Sequence, residues 1–271
     1  MPMTTDALSA RIRAHRCYSH PVFRNWAVAR PDYETIGAMF HQIQLFCSST
    51  RCAGNFPAAL AALGLEQQSA LMNEIVESET GHGRDLATMA GHIVNRAAGR
   101  IVCSDLADQA AIEGLLKRCS DRIFSALPGY DAATGQAVQT RRTIEVLERR
   151  QRSDRTSSYR NLGTVLALEI IANRHVIPGE KQCLVDSGLY GVSMSDPEMH
   201  YLLEHWGEIG AEQQHEDSAL EAVAAAINDA TEAEIVAGMD DFLNSLASLW
   251  DVLNSSLPQS YRSGVSQVAA D

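Results

Sequence analysis

Residues 199–227 read MHYLLEHWGEIGAEQQHEDSALEAVAAAI, and this stretch decides the fold that we expect for the whole chain. Its apolar residues recur at helical spacing, which predicts one long helix over 199–227. These residues are Leu202, Trp206, Ile209, Leu220, Val223 and Ile227. A polar stripe follows beside them, because steps of three, four and three residues keep side chains on one helical face. The stripe consists of His205, Glu208, Glu212 and His215.

The face that carries this polar stripe is predicted to be buried. It continues through Tyr201 and through the small residues Ala219, Ala222 and Ala226, which a solvated face has no reason to prefer. Charged groups away from water need a partner of opposite charge. A metal ion is the simplest partner for carboxylates and imidazoles together, so the stripe predicts a metal site.

The composition favours an all-α protein. The 271 residues are 45% hydrophobic and rich in Ala, Leu and Glu, all of which favour helices. Few segments alternate in the way that half-buried strands do, and no Gly/Ser-rich or Pro-rich linker separates two cores. We therefore expect a single helical domain over 1–255, followed by a disordered tail over 256–271.

Charge and hydropathy exclude several classes of protein. A net charge of −12 argues against nucleic-acid binding, because an acidic surface repels phosphates. No uncharged apolar run approaches the length of a membrane span, and the first residues lack the apolar core of a secretory signal. The six cysteines form no CxxC pair, which indicates reduced thiols. The cytoplasm is the expected location.

Two further predicted helices place ionisable residues among apolar ones. Over 66–98 an apolar stripe includes Glu79 and His82, flanked by glycines that predict a kink. Glu169 lies within VLALEIIA, in a helix that we expect to stop at Pro178 and Gly179. Bundle proteins hold two iron or manganese ions with carboxylates and Glu-x-x-His steps from facing helices. The candidate ligands are Glu79, His82, Glu169, Glu208, Glu212 and His215.

Each candidate also has a simpler interpretation. Glu79 and His82 could form a satisfied core pair at the kink, and Glu169 could pair with Arg160. A Glu-x-x-His step is also a common coincidence on Glu-rich helix surfaces. Seven arginines lie between residues 141 and 160. We interpret them as a solvated face, with an anionic substrate or partner as the alternative.

The chain resembles the haem-oxygenase-like di-iron oxidases and oxygenases from about residue 33 to 227. Those proteins are all-helical bundles with metal ligands from three core helices. The segment NEIVESETGHG, residues 73–83, looks like the family's helix in which a ligand Glu precedes glycines. Glu79 would be that ligand, and His82 stands where some members place a His. Glu169 would match the carboxylate of the middle helix.

The third helix matches the family motif His-x-x-x-Asp-x-x-His only in part. Glu212 and His215 match its end, whereas Glu208 replaces its first His. The resemblance therefore implies four carboxylates and two imidazoles, where the family usually has three of each, and a weaker second iron site. His41 and His205 are spare imidazoles for which lining a pocket is the simpler interpretation.

The resemblance implies an oxygen-dependent enzyme with two Fe(II) ions per chain and O2 as co-substrate. It identifies no separate catalytic residue. The expected substrate is a small molecule, similar to an amino acid or a fatty acid, in specialised metabolism, and the family allows an external electron donor and a homodimer. Two alternatives stay open. They are a metal-independent, thiaminase-like enzyme of the same fold and a non-catalytic helical interaction protein.

Overall fold

The computed structural model describes residues 2–50, 55–78, 82–207 and 211–258, apart from the side chains of His82 and Arg150. Helices make up most of these residues and none of them forms a strand, so the all-α prediction is confirmed. The helices are α1 (Thr5–Ala14), α2 (Val22–Ala29), α3 (Tyr33–Thr50), α4 (Phe56–Ala62), α5 (Glu66–Ser78), α6 (His82–Ala98), α7 (Gln109–Phe124), α8 (Val138–Glu148), α9 (Arg155–Ile171), α10 (Ile177–Glu180), α11 (His200–His205), α12 (Ala211–Ala226) and α13 (Glu232–Ser256).

Helix α9 is the centre of the bundle, because it packs against α13 on one side and α12 on another. Two glycines set the distance to α13. A Cβ on Gly163 would lie 1.8 Å from the carbonyl oxygen of Ile235, and one on Gly238 would lie 1.9 Å from that of Arg160. Thr164 Oγ1 also donates to the Gly238 carbonyl at 3.1 Å. Any side chain at either glycine would therefore push the two helices apart.

The prediction of one continuous helix over 199–227 is wrong. Helix α11 ends at His205, and α12 begins at Ala211. Trp206 has an extended backbone, with ψ 134°, and Gly207 has φ +93°. Glycine adopts this left-handed region without the steric cost that a Cβ imposes. The two helices can therefore meet at an angle that one straight helix would not allow.

The prediction that the Glu169 helix stops at Pro178 and Gly179 is also wrong. After Ile171 the chain continues through a π-helical turn, Ala172–Val176, then through α10, and then through a second π-helical segment, Lys181–Asp186. Pro178 lies in the first turn of α10, where its missing N–H costs little. The wide turn before it lets the chain stay helical past a proline.

Two other expectations concern ends of helices. The stretch 66–98 forms α5 and α6, and the predicted kink at residues 79–81 lies outside the described residues. Helix α13 continues through Ser256, while 259–271 of the predicted tail lie outside them too. Among the described ranges, none of the helices combines the length and the apolar character that crossing a bilayer requires.

Candidate metal centre

Glu169 is a buried acid in the central helix. Its residue is only 5% exposed, and its neighbours Leu168 and Ile170 are also buried. Helix α9 has a core contact on every side, so a residue in its middle turns cannot reach bulk water. A carboxylate at this place needs a cation or a proton from its surroundings.

Helix α12 supplies a second buried acid and a buried imidazole. Glu212 and His215 are 5% and 3% exposed and lie three residues apart, so both face α9. Glu212 stands in the first turn of α12, where the helix dipole favours a negative charge. The Nδ1 atom of His215 lies 3.6 Å from Oε2 of Glu169. One donor atom of each of these three residues lies within 4.8 Å of the others.

A contact from the end of α5 orients the ring of His215. Ser78 Oγ donates to the Ile75 carbonyl at 3.1 Å and contacts Nε2 of His215. When the Ser78 hydroxyl donates to Ile75, it accepts from the imidazole, and Nε2 of His215 carries the proton. The lone pair of His215 Nδ1 then faces the Glu169 carboxylate. This is the arrangement of metal-binding histidines, whose other nitrogen donates to a protein oxygen.

The spacing of the donors suits a single ion. Nitrogen and oxygen donors about 2.1 Å from an ion lie about 3.0–3.6 Å apart when they subtend 90–120°. The separation of 3.6 Å between His215 and Glu169 lies at the upper end of this range. Two carboxylates and an imidazole, without a thiolate, suit iron or manganese. The residues present therefore fit the metal that the family resemblance implies.

An apolar pocket is lined by two of the three donor residues, Glu169 and Glu212. Its free space, including solvent at the open mouth, is about 820 Å³. Glu169, Glu212, Tyr201 and His205 form its polar part. The apolar lining includes Phe46, Ile75, Leu86, Leu168, Val176 and Leu246. Part of this wall is the π-helical turn after Glu169, and such turns are frequent at functional sites.

A more open pocket adjoins the first one and shares His205 and Ile177 with it. Its polar lining includes Tyr18, Asn173, Arg174, Trp206 and Gln213. Arg174 donates to Glu216 at 2.9 Å and to Gln213 at 3.0 Å, which holds the guanidinium at the pocket. A small molecule could therefore reach the apolar pocket past a polar outer region.

The structure brings together three of the six candidate ligands, Glu169, Glu212 and His215. Glu79 and Glu208 lie outside the described residues. His82 begins α6, and its side chain is not described. The chain positions next to 79–82 do reach the centre, because Ser78 contacts His215 and Gly83 lines the apolar pocket.

Other residues that the sequence suggested lie elsewhere. His41 is buried beside Ser120 Oγ, 3.0 Å from its Nδ1, and burial lowers its pKa to about 4. Arg149 and Arg160, from the arginine-rich stretch, pair with Asp241 and Glu234 of α13. Arg174, which lines the outer pocket, lies outside that stretch. The roles of Ser78 and Arg174 had no signal in the sequence, because both depend on tertiary contacts.

Comparison with known proteins gives a fold but no family. No family model matches the chain, and no curated protein matches it either. One similar solved structure is a CADD-like protein of unknown function from Nostoc punctiforme. It is 13% identical, with a TM-score of 0.57 over 93% of this chain and 98% of that one. This likeness shows a shared helical fold over nearly the whole length of both chains.

Proposed function

We propose that this protein is a non-haem di-iron enzyme that uses O2 to oxidise a small substrate. The observation that carries the proposal is the buried group of Glu169, Glu212 and His215, in which Nδ1 of His215 lies 3.6 Å from a carboxylate oxygen of Glu169. The fold shared with a CADD-like protein supports it, since the haem-oxygenase-like resemblance implies the same all-helical architecture. Bound iron would supply the redox chemistry with O2. The protein's residues would hold the iron, orient its ligands and exclude water from the substrate.

The protein's own residues have three tasks in this proposal. Glu169 and Glu212 offset the charge of the metal, and they tolerate a change in its oxidation state because carboxylates can bind through one or both oxygens. Ser78 holds the His215 ring in the tautomer and orientation that a ligand needs. The apolar wall of the pocket excludes water from the reacting part of the substrate.

The second ion of the pair depends on Glu79, His82 and Glu208, which the family resemblance assigns. Ser78 and Gly83 at the centre support the assignment of the two residues on the 79–82 segment, because they flank it in the chain. Glu208 precedes Glu212 by four residues. We expect this second ion to bind more weakly, because Glu208 stands where relatives have an imidazole.

The pockets suggest an amphiphilic substrate, such as an amino acid or a fatty acid. An apolar part would occupy the inner pocket beside Glu169 and Glu212. A carboxylate would remain in the outer pocket near Arg174, which can offer charged N–H donors. This placement would keep the charged end of the substrate in the more solvated region.

Anaerobic metal loading tests the proposal. Protein loaded with excess Fe(II) and then desalted should retain about two irons per chain by elemental analysis. Exposure of the loaded protein to O2 should consume O2 and change the visible absorption, and a true substrate should alter the rate of that change. Retention of neither iron nor manganese would favour the metal-independent alternative or an interaction protein.

A further inference from the structure

His205 is a third buried imidazole beside the centre, at the end of α11. Its residue is 2% exposed, and it lies in the wall shared by the inner and outer pockets. The ring lies 4.4 Å from the Tyr201 ring, measured between centroids, and is held there by this contact. His205 does not belong to the predicted ligand set.

A backbone hydrogen bond fixes the tautomer of His205. Its Nδ1 lies 2.6 Å from the carbonyl oxygen of Tyr201, and a carbonyl oxygen only accepts. Nδ1 therefore carries a proton. In the neutral ring the lone pair is then on Nε2, which lies 3.7 Å from Oε1 of Glu212. A cation placed between these two atoms would have an imidazole nitrogen and a carboxylate oxygen as donors in a buried place.

This arrangement repeats that of His215. In each case one ring nitrogen is bound to a protein oxygen, Ser78 Oγ or the Tyr201 carbonyl. The other nitrogen faces a carboxylate, at 3.6 Å from Glu169 and 3.7 Å from Glu212. Both separations lie close to that of two donors on one ion, about 3.6 Å at a wide angle. Glu212, which faces His205, also belongs to the buried group with Glu169 and His215.

We infer that His205 is a ligand of the ion bound by Glu212 and that it replaces the imidazole that the chain lacks at position 208. This inference rests on the proposed metal centre. The break after His205 is part of it, because the extended Trp206 and the left-handed Gly207 allow α11 to approach from a direction independent of α12. Metal binding would then join α11 to α9 and α12.

The test compares His205→Ala and His205→Gln with His200→Ala. His200 lies on the same short helix and is exposed, so its variant controls for changes in α11 alone. Fe(II) affinity is measured anaerobically by titration, and the Co(II)-loaded proteins are compared by visible absorption. The His205 variants should bind Fe(II) more than about 10-fold more weakly and give a changed Co(II) spectrum. His200→Ala should match the wild type in both measurements.

Two further readouts separate a ligand from a merely structural residue. Free imidazole should restore Fe(II) affinity and the Co(II) spectrum of His205→Ala, because it can fill the space and supply the missing nitrogen. Metal should slow hydrogen exchange in residues 200–205 of the wild type and not of His205→Gln. Helical circular dichroism of both variants checks that they fold.

The outcomes distinguish this inference from the proposed function. If the wild type binds two irons and both His205 variants keep its affinity and Co(II) spectrum, His205 is no ligand and the metal centre stands without it. Weaker binding without imidazole rescue would show a structural role and would also overturn the inference. If the wild type itself binds no metal, the proposed function and the inference both fail.

Discussion

Two groups of carboxylates and imidazoles in the described residues bring three donor atoms within 4.8 Å of one another, and they differ in their surroundings. The buried group is Glu169, Glu212 and His215. The open group is Asp85 of α6 with His200 and Glu204 of α11. The side chains of His200 and Glu204 are 53% and 41% exposed, against 4% for His215 and 7% for Glu169. The two groups contain the same chemical types of ligand.

The difference teaches that burial, and not ligand type, distinguishes the candidate metal centre from the open group. Water solvates His200 and Glu204, which lie 3.1 Å apart one helical turn from each other. An exposed pair one helical turn apart contributes about 0.3–0.5 kcal/mol. Glu169 and Glu212 have little water, so they depend on a cation or a proton inside the protein.

Glu180 is a buried acid that is neutralised by a proton. It is 1% exposed, and its Oε2 has no hydrogen-bond partner among the described residues. Burial raises the pKa of this carboxyl group to about 8, so the acid is mainly protonated at neutral pH. A buried acid thus becomes neutral by itself, whereas acids beside oriented imidazoles can hold a metal ion.

The largest expected effect is the loss of metal from the buried group. Glu169→Gln and His215→Ala should each lower Fe(II) affinity more than about 100-fold, since changes in outer partners alone cost about 10–100-fold. Elemental analysis after anaerobic loading measures it, and circular dichroism checks the fold. Glu204→Ala is the matched control and should load like the wild type. Equal loss in all three variants would remove the distinction between the two groups.

Glu180→Gln should change how stability depends on pH. The folded pKa of about 8 lies above the ordinary glutamate pKa of 4.5, so the folded state holds its proton more tightly. The contribution of Glu180 is therefore complete at low pH and is lost as pH rises toward 8. Relative to the wild type, Glu180→Gln should gain about 1.4 kcal/mol of unfolding free energy per pH unit between about pH 5.5 and about pH 7.5.

Urea unfolding of both proteins at several pH values measures this gain. The exposed Glu145 offers a matched control, because Glu145→Gln makes the same chemical change in solvent. Its difference from the wild type should stay constant over the same pH range. A flat difference for Glu180→Gln as well would mean that Glu180 is ionised in the folded protein, and that burial alone does not neutralise an acid here.

Ser78→Ala should have a smaller effect on the buried group, through the tautomer of His215. Without the Ser78 oxygen, Nε2 loses its acceptor and the ring loses its fixed orientation. Fe(II) affinity should fall about 10–100-fold, while helical content stays unchanged. Ser69→Ala, also buried on α5, is the control and should keep wild-type affinity. Unchanged affinity of Ser78→Ala would show that its contact is incidental.

The sequence predicted the all-α fold and the three donors that meet, because helical periodicity carries that information. Glu169 in an apolar run and the Glu212–His215 step need only the helices that contain them. The break at Trp206 and Gly207 was missed, since Trp206 continues the apolar period and a single glycine is tolerated inside helices. The π-helical turn after Ile171 has no signature in composition. Both departures shape the pocket.

The smallest expected effect belongs to the open group. His200→Ala should change the unfolding free energy by less than about 0.5 kcal/mol, because an exposed pair one turn apart contributes about 0.3–0.5 kcal/mol. The difference should shrink further in about 1 M salt, where charges are screened beyond about 3 Å. Urea unfolding at low and high salt measures both values, and added Zn²⁺ should not shift the midpoint. A Zn²⁺-dependent shift that disappears in His200→Ala would show that the open group binds metal despite its exposure, and that burial is not what distinguishes the two groups.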